Sequence, residues 1–344
     1  MSRTYKVTGI NLKSMPMGEA DRLLTILTRE EGLIRAIAMG SRKHNSSLGG
    51  RSGLFVVNEL LIARGRSLDK IAQAETLESY PGLSQDLRKL TASQYLAELC
   101  LCQALSDQPQ EELFCLLNGH LKRLERSPGS LVLPHLTHAV FQLLILSGVA
   151  PQVHLCCATR QPLMPNFTDS AWRIGFSIPT GGVVTLEVLA RLQAKKRPQQ
   201  SHLINDEKGG ASALDQSAPD QVQGRVAEAG MGTRSYQSAA NLNTQLAAAD
   251  LALLQQLAQA ELPDSVEMRK YGDSVLTKAD KQSPACDSAL PQPGGVPDTF
   301  NRDVSFPAQV WCSVERVLRY YAQYHFDRPI RSAALIDACF ASAD

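Results

Sequence analysis

The chain has no apolar run of the roughly 18 residues that a membrane-spanning helix needs, and Met1 to Lys6 lack the apolar centre of a secretory leader. A soluble, cytosolic protein is therefore expected. Nothing in it matches the glycine loop of nucleotide-binding proteins, G-x-S-x-G or H-E-x-x-H, and no helix carries paired carboxylates on one face. The most legible hydrolase and nucleotide-using classes are thus excluded. Aromatic residues make up 6% of the chain, and the net charge of +1 gives no overall attraction to any polyion. Eight cysteines are present, but Cys100, Cys102, Cys115, Cys312 and Cys339 fall at ordinary helical spacings, as reduced apolar side chains do. In a reducing compartment they build no disulfide framework.

What is present is an ordinary globular composition, 44% apolar and 20% charged over 344 residues, enough for two or three domains. The charge is unevenly placed. Residues 1–70 hold twelve Lys or Arg against six Asp or Glu, so a basic module opens a neutral chain. Its centre is a glycine-rich loop, 40–53, in which Arg42, Lys43 and Arg51 stand without one carboxylate. Such a surface suits polyanions.

Alternating apolar patterns predict five strands, at about 5–12, 23–28, 33–39, 54–63 and 68–78, each bounded by turn residues. Five short strands in 75 residues close most readily into a barrel, because closure removes exposed edges. An OB-type barrel over residues 1–80 is expected, with an SH3-like barrel as its competitor. Pro81-Gly82 ends it. Helical periodicity then runs from 84, where Leu83, Leu87, Leu90, Ala97, Leu101 and Leu105 share one face and Tyr95, Leu96 and Leu99 the other. A second helix follows from Leu113 to Leu124 and a third from Leu136 to Ser147, giving a helical domain over 81–150. Residues 151–192 read as a small irregular module. Residues 193–245 and 263–304, rich in polar residues and poor in apolar ones, read as flexible inserts around a helix at 246–262. The stripe Val310, Val314, Val317, Leu318, Tyr321 makes 305–344 the returning part of a discontinuous helical bundle. The fold class is α+β.

Arg35, Arg42, Lys43, Arg51, Arg64 and Arg66 are the candidate phosphate contacts, against the alternative that they merely solvate the barrel. Tyr5, Phe55 and Tyr80 are the barrel's aromatics, few for a module that grips single strands by stacking, so binding should rest on backbone charge and weaken with salt. His44 adds charge to the loop below its pKa. Arg316, Arg319, Arg328 and Arg331 border the last helices, either as a second patch for a polyanion or acidic partner or as ordinary solvation. His120 lies on an apolar helix face and reads as a core histidine; His135 and His138 read as structural or surface groups.

Several of these pieces, in this order, resemble the RecO family of bacterial DNA repair and recombination mediators: Gly18-Glu19-x-Asp21, Glu31-Gly32, Gly40-Ser41-Arg42-Lys43-x-x-Ser46-x-Leu48, 68–75, and 321–335 with Arg328 and Arg331. The likeness spans about two-thirds of the chain. It implies an OB-fold barrel, a helical domain and a small zinc-finger-like module. It further implies binding of single- and double-stranded DNA, annealing of complementary strands coated with single-stranded-DNA-binding protein, and recombinase loading with RecR, with no covalent chemistry and no nucleotide or other cofactor. The acidic tail of the single-stranded-DNA-binding protein becomes a partner for the C-terminal arginines.

The zinc pattern of that resemblance, a proline before C-x-x-C and then Gly-Gly before a second C-x-x-C, is broken here. Pro151 and Cys156 fit, but Thr159, Thr185 and Val188 stand at the other ligand positions. One cysteine cannot hold a tetrahedral zinc, although Cys157, His154, His135 and His138 are nearby donors in sequence. The module has lost its ligands and is expected to fold on Trp172, Phe176 and Val183, with no metal. Two other functions stay open at this point: a thiol- or metal-dependent enzyme using Cys156, Cys157 and His154, and a protein-interaction scaffold with an inert barrel.

Overall fold

The structure, a computed structural model, describes residues 4–194, 242–257 and 306–340. The expected inserts fall mainly on residues outside these, the second of them, 263–304, entirely so.

Five strands, β1 (Thr4–Met17), β2 (Asp21–Thr28), β3 (Gly32–Ala38), β4 (Val57–Ala63) and β5 (Asp69–Glu78), close in the order β1-β2-β3-β5-β4. β4 returns antiparallel onto β1, and β3 meets β5 in parallel, Ala36 opposite Asp69 and Ile37 opposite Lys70. This is the OB arrangement, and it separates the two barrels that strand number alone left open. Alternation sends Val7, Leu24, Ile26, Ala36, Ala38, Leu60, Ile62 and Ile71 inward to a small core of their own. β1 is longer than its pattern predicts. A register shift between Asn11 and Lys13 lets it run on through Pro16 before Gly18, at φ +59°, turns the chain. β4 is shorter, because Phe55 leaves the extended region at φ +60° to bury its ring under the barrel.

Ile10, Leu12, Leu27, Phe55 and Val57 belong to a different, larger core, shared with the helices. The barrel is thus seated on the helical domain. The joint is made by backbone: Leu33 N donates to Leu105 O at 2.8 Å, and Gln110 N to Arg29 O at 2.9 Å. Arg29 adds an ion pair to Glu111 at 3.3 Å and lies 5.3 Å over the ring of Phe114.

The helical domain comprises α1 (Leu87–Gln103), α2 (Glu111–Arg126) and α3 (Val132–Leu146). α1 starts where Asp86 caps the backbone N–H of Arg88 at 2.8 Å. Tyr95, Leu96 and Leu99 are fully buried; on the other face Leu83 and Ala97 are buried and Leu90 and Leu101 partly so, whereas Leu87 and Leu105 are 64% and 53% exposed. α3 is apolar all round: Gly129–Leu146 has the length and hydropathy of a membrane span, contrary to expectation, but 72% of it is buried inside the fold. It is the central helix of the bundle.

Between α3 and the last helices lies a three-stranded sheet of order β7-β6-β8, with β6 (Arg173–Ser177), β7 (Gly182–Val184) and β8 (Asn243–Ala247). α4 (Leu186–Ala194) follows β7, and α5 (Ala248–Gln256) follows β8. Two expectations are corrected here. Residues 243–245, read as insert, form a strand, and the helix expected at 246–262 begins only at Ala248. Leu246 pairs opposite Ile174 across some 70 residues of chain, so nothing local announces that strand. Finally α6 (Ala308–Phe326) packs on α3 and α5, and α7 (Ala333–Phe340) on α1, where Glu98 accepts the backbone N–H of Arg331 at 2.6 Å. The helical domain is therefore completed from the far end of the chain.

Candidate nucleic-acid interface

β3 organises the cations of the barrel. Its odd residues point outward, since Ala36 and Ala38 face the interior, and this exposes Arg35 on the β2–β3 face. The loop after β3 folds back on the β1–β2 turn: Gly40 N donates to Asp21 Oδ1 at 2.7 Å, and Arg42 N to Ala20 O at 2.8 Å. Arg42 then donates through Nη1 to Gly18 O at 2.8 Å, which fixes the guanidinium while leaving its other N–H groups outward. Arg51 donates to Ser47 O at 2.6 Å, and its own carbonyl accepts from the buried amides of Asn11 at 2.8 Å and Asn58 at 2.9 Å. The loop is held from below by two asparagines that sequence reasoning passed over. Arg22, also overlooked, donates to Ser52 Oγ at 3.1 Å from the adjacent strand.

A second group stands at the β4–β5 turn. Arg64 lies 5.0 Å over the ring of Tyr5 and 3.9 Å from Glu31, so part of its charge is spent inside the protein. Burial, then the hydrogen bond to Asp69, raises the Tyr5 hydroxyl far above its ordinary range. Arg66 is exposed at the tip of the turn. Because β5 runs parallel to β3, that tip is carried toward Arg35, and Lys70, not among the expected residues, comes opposite Ile37. Only the strand register could have revealed it. Arg35, Lys43, Arg66 and Lys70 are exposed and have no ion pair among the described residues. Of the six expected cations, Arg35 stands on β3, Arg42, Lys43 and Arg51 in the loop that follows it, and Arg64 and Arg66 in the β4–β5 turn.

At the other end of the chain one expectation fails. Arg319 is not a surface cation: its side chain is 6% exposed, and it pairs with Glu315 on α6 and with Asp337 on α7 at 2.7 Å. Arg316, one turn before it on nearly the same face, stays exposed, whereas Arg319 is drawn in between Glu315 and Asp337. Arg316, Arg328 and Arg331 are exposed.

The histidines form a cluster that sequence spacing did not bring together. His120, His135 and His138 are 5%, 2% and 1% exposed. The His120 and His138 rings stand 5.7 Å apart, with Arg123 Nη1 3.4 Å from His138 Nδ1. Burial, followed by the neighbouring cationic groups, holds His120 well below the usual imidazole range and His135 down at about 3. Neutral imidazoles in the core fit these surroundings, and a surface role for His135 and His138 does not.

In the small module Cys156 is fully buried in an apolar cluster with Val184 and Leu189, and Val188 packs against it. Burial pushes its thiol up, but hydrogen bonds from Thr159, Thr185 and Ala158 outweigh that and leave it below the ordinary thiol range. Its sulfur is engaged inside the module rather than turned to solvent. Phe176 and Val183 are buried as well, and Trp172 packs at the margin of the main core. Among the described residues no three His, Cys, Asp or Glu are gathered as metal ligands.

Residues 1–80 match the family described as Recombination protein O N terminal, and residues 84–196 that described as Recombination protein O C terminal. The proteins named DNA repair protein RecO of Nostoc sp. and of Nostoc punctiforme are 48% and 47% identical to it, aligned over 99% of this chain and 98% of each relative. That of Acaryochloris marina is 49% identical over 99% of this chain and 96% of the relative.

The chain belongs to the RecO family. The RecO resemblance seen in scattered motifs therefore extends over nearly the whole chain.

Proposed function

We propose that this RecO-family protein acts in recombinational DNA repair by binding single- and double-stranded DNA on its barrel, annealing complementary strands and helping RecR to load recombinase. It acts in the cytosol, without covalent chemistry. The observation that carries this reading is the placement of Arg35, Arg42, Lys43, Arg51, Arg64 and Arg66 on the β2–β3 face and its bordering loops, with few carboxylates between them. Two DNA strands repel, and annealing requires a surface that lowers that repulsion without reading sequence. Cations held by backbone carbonyls at one end of β3 and by a turn at the other provide it. The C-terminal arginines that remain exposed, Arg316, Arg328 and Arg331, are the surface proposed for the acidic tail of the single-stranded-DNA-binding protein.

The test is annealing of complementary strands coated with single-stranded-DNA-binding protein, for the wild type and the triple variant R42E/K43E/R51E. The variant should lose annealing and retain oligonucleotides poorly. Unchanged retention by the variant would remove the barrel from the mechanism.

A further inference from the structure

The barrel can hold DNA by charge, but it offers no open aromatic face to a base. Tyr5 is bonded to Asp69 at 2.6 Å with Arg64 over its ring, and Phe55 and Tyr80 are 2% and 8% exposed. Among the described residues the exposed Phe, Tyr and Trp side chains are Phe167, Tyr320 and Tyr324. Two of the three share one helix. Tyr320 and Tyr324, 43% and 44% exposed, are one turn apart on the outer face of α6, and Arg316 stands one turn before them. The buried side of the helix, with Tyr321 against Phe176 at 5.9 Å, is fixed in the core.

The spacing and charge of this stripe select its occupant. Four residues of α-helix rise about 6 Å, close to the distance between two rings that enclose one stacked base. The ring of Tyr324 is braced nearly perpendicular to His325, at 5.3 Å and 83°. The one carboxylate within α6, Glu315, is buried against Arg319; Asp337, half exposed on α7, is bound by Arg319 as well, and Asp327 is exposed where the helix ends. Arg316 is left as the exposed arginine of the helix. A cavity of about 460 Å³, lined by Phe176, Thr244, Cys312, Arg316, Tyr320 and Phe340 among others, opens beside Tyr320. Flat rings in register with a cation, next to a recess of mixed polarity, are the elements by which single strands are held.

We propose that the outer face of α6 is a contact site for single-stranded nucleic acid, separate from the barrel, in which Tyr320 and Tyr324 stack on unpaired bases and Arg316 meets the phosphate backbone. It adds to the barrel reading and does not depend on it. Duplex DNA, whose bases are already stacked, gains nothing from this face.

The test uses the full chain with an oligo(dT) strand, a blunt duplex of the same length, and a strand containing 2-aminopurine, at a salt concentration that weakens the charge contribution. Y320A/Y324A should lower single-strand affinity by about fivefold to more than a hundredfold for each stack lost, with duplex affinity unchanged. Y320F/Y324F should bind as the wild type does and, like it, quench 2-aminopurine, which the alanine variant should not. Unchanged single-strand binding by the alanine variant, equal loss for strand and duplex, or loss in the phenylalanine variant would overturn the proposal. So would binding of an acidic peptide that requires Tyr320 and Tyr324 while oligonucleotide binding does not. The barrel triple variant run alongside separates the two sites, since its failure to change binding counts against the barrel alone.

Discussion

Arg319 on α6 donates from Nη1 to Asp337 Oδ2 on α7 at 2.7 Å, and from Nε to Glu315 Oε1 at 3.0 Å, so one guanidinium joins the last two helices. Burial alone would lower its proton affinity, but the two carboxylates more than reverse that, and it stays charged at every accessible pH. The Asp337 hydrogen bonds to Arg319 hold that carboxyl below its usual range, whereas burial raises Glu315. Replacing Arg319 with Met leaves Glu315, 2% exposed on its side chain, as an uncompensated buried charge. A loss of about 3–5 kcal/mol is expected in urea unfolding, with much of it recovered in the double variant E315L/R319M.

The seat of the barrel depends on Gly32, at φ +67°, where an added Cβ would meet the carbonyls of Leu105 and Gln108. Gly32→Ala combines backbone strain of about 1–2 kcal/mol with displacement of the barrel from the helices, and should cost more than about 2 kcal/mol. Gly18→Ala, at a similar φ of +59° but with open space around it, should show only the strain. Paired denaturation curves check the difference.

The histidine cluster makes stability depend on acid. His120 and His135 resist protonation in the folded chain, with His135 at about 3, while in the unfolded chain both titrate near the usual 6.5. Between those values the unfolded state holds more protons, so stability falls as pH falls below about 6.5, by up to about 1.4 kcal/mol per pH unit for each histidine. Above that range these groups contribute no pH dependence. Urea midpoints from about pH 7.5 to 5 should show the slope, and His135→Phe should remove one histidine's share of it.

If the barrel acts through charge, its affinity for single strands must respond to salt. The logarithm of affinity should fall linearly with the logarithm of salt concentration, and R42E/K43E/R51E should reduce the slope by about 2, near 0.7 for each phosphate contact removed. Titrations at several salt concentrations measure it.

The module between bundle and C-terminal helices should behave as an apolar fold. Chelator treatment is expected to leave the melting temperature unchanged. Phe176→Ala, which empties a fully buried site against Tyr321, should cost about 3–5 kcal/mol.

Legibility in the sequence followed the range of the signal. β2, β3 and the Gly32 turn were readable because apolar alternation and a glycine break are written in adjacent residues. β8 was not, because Asn243–Ala247 is a strand only by pairing with β6, and its own polar composition resembles the segment before it. The basic loop was legible as composition, but its support by Asn11, Asn58 and Arg22 comes from strands that are distant in sequence. Arg319 was misplaced for a related reason. Helical spacing fixes an angle around the axis, and only packing says which angle faces the core.

Local chemistry by itself therefore determined that a basic β-module precedes a helical one, that the chain resumes that helical domain at its end, and that the cysteine pattern of the middle module is incomplete. Tertiary structure decided the parallel closure of β3 on β5, the gathering of three histidines around Arg123, the burial of Arg319 and the exposure of Tyr320 and Tyr324. Periodicity and composition depend on neighbouring residues, whereas burial and partnership depend on surfaces contributed by segments tens to hundreds of residues apart.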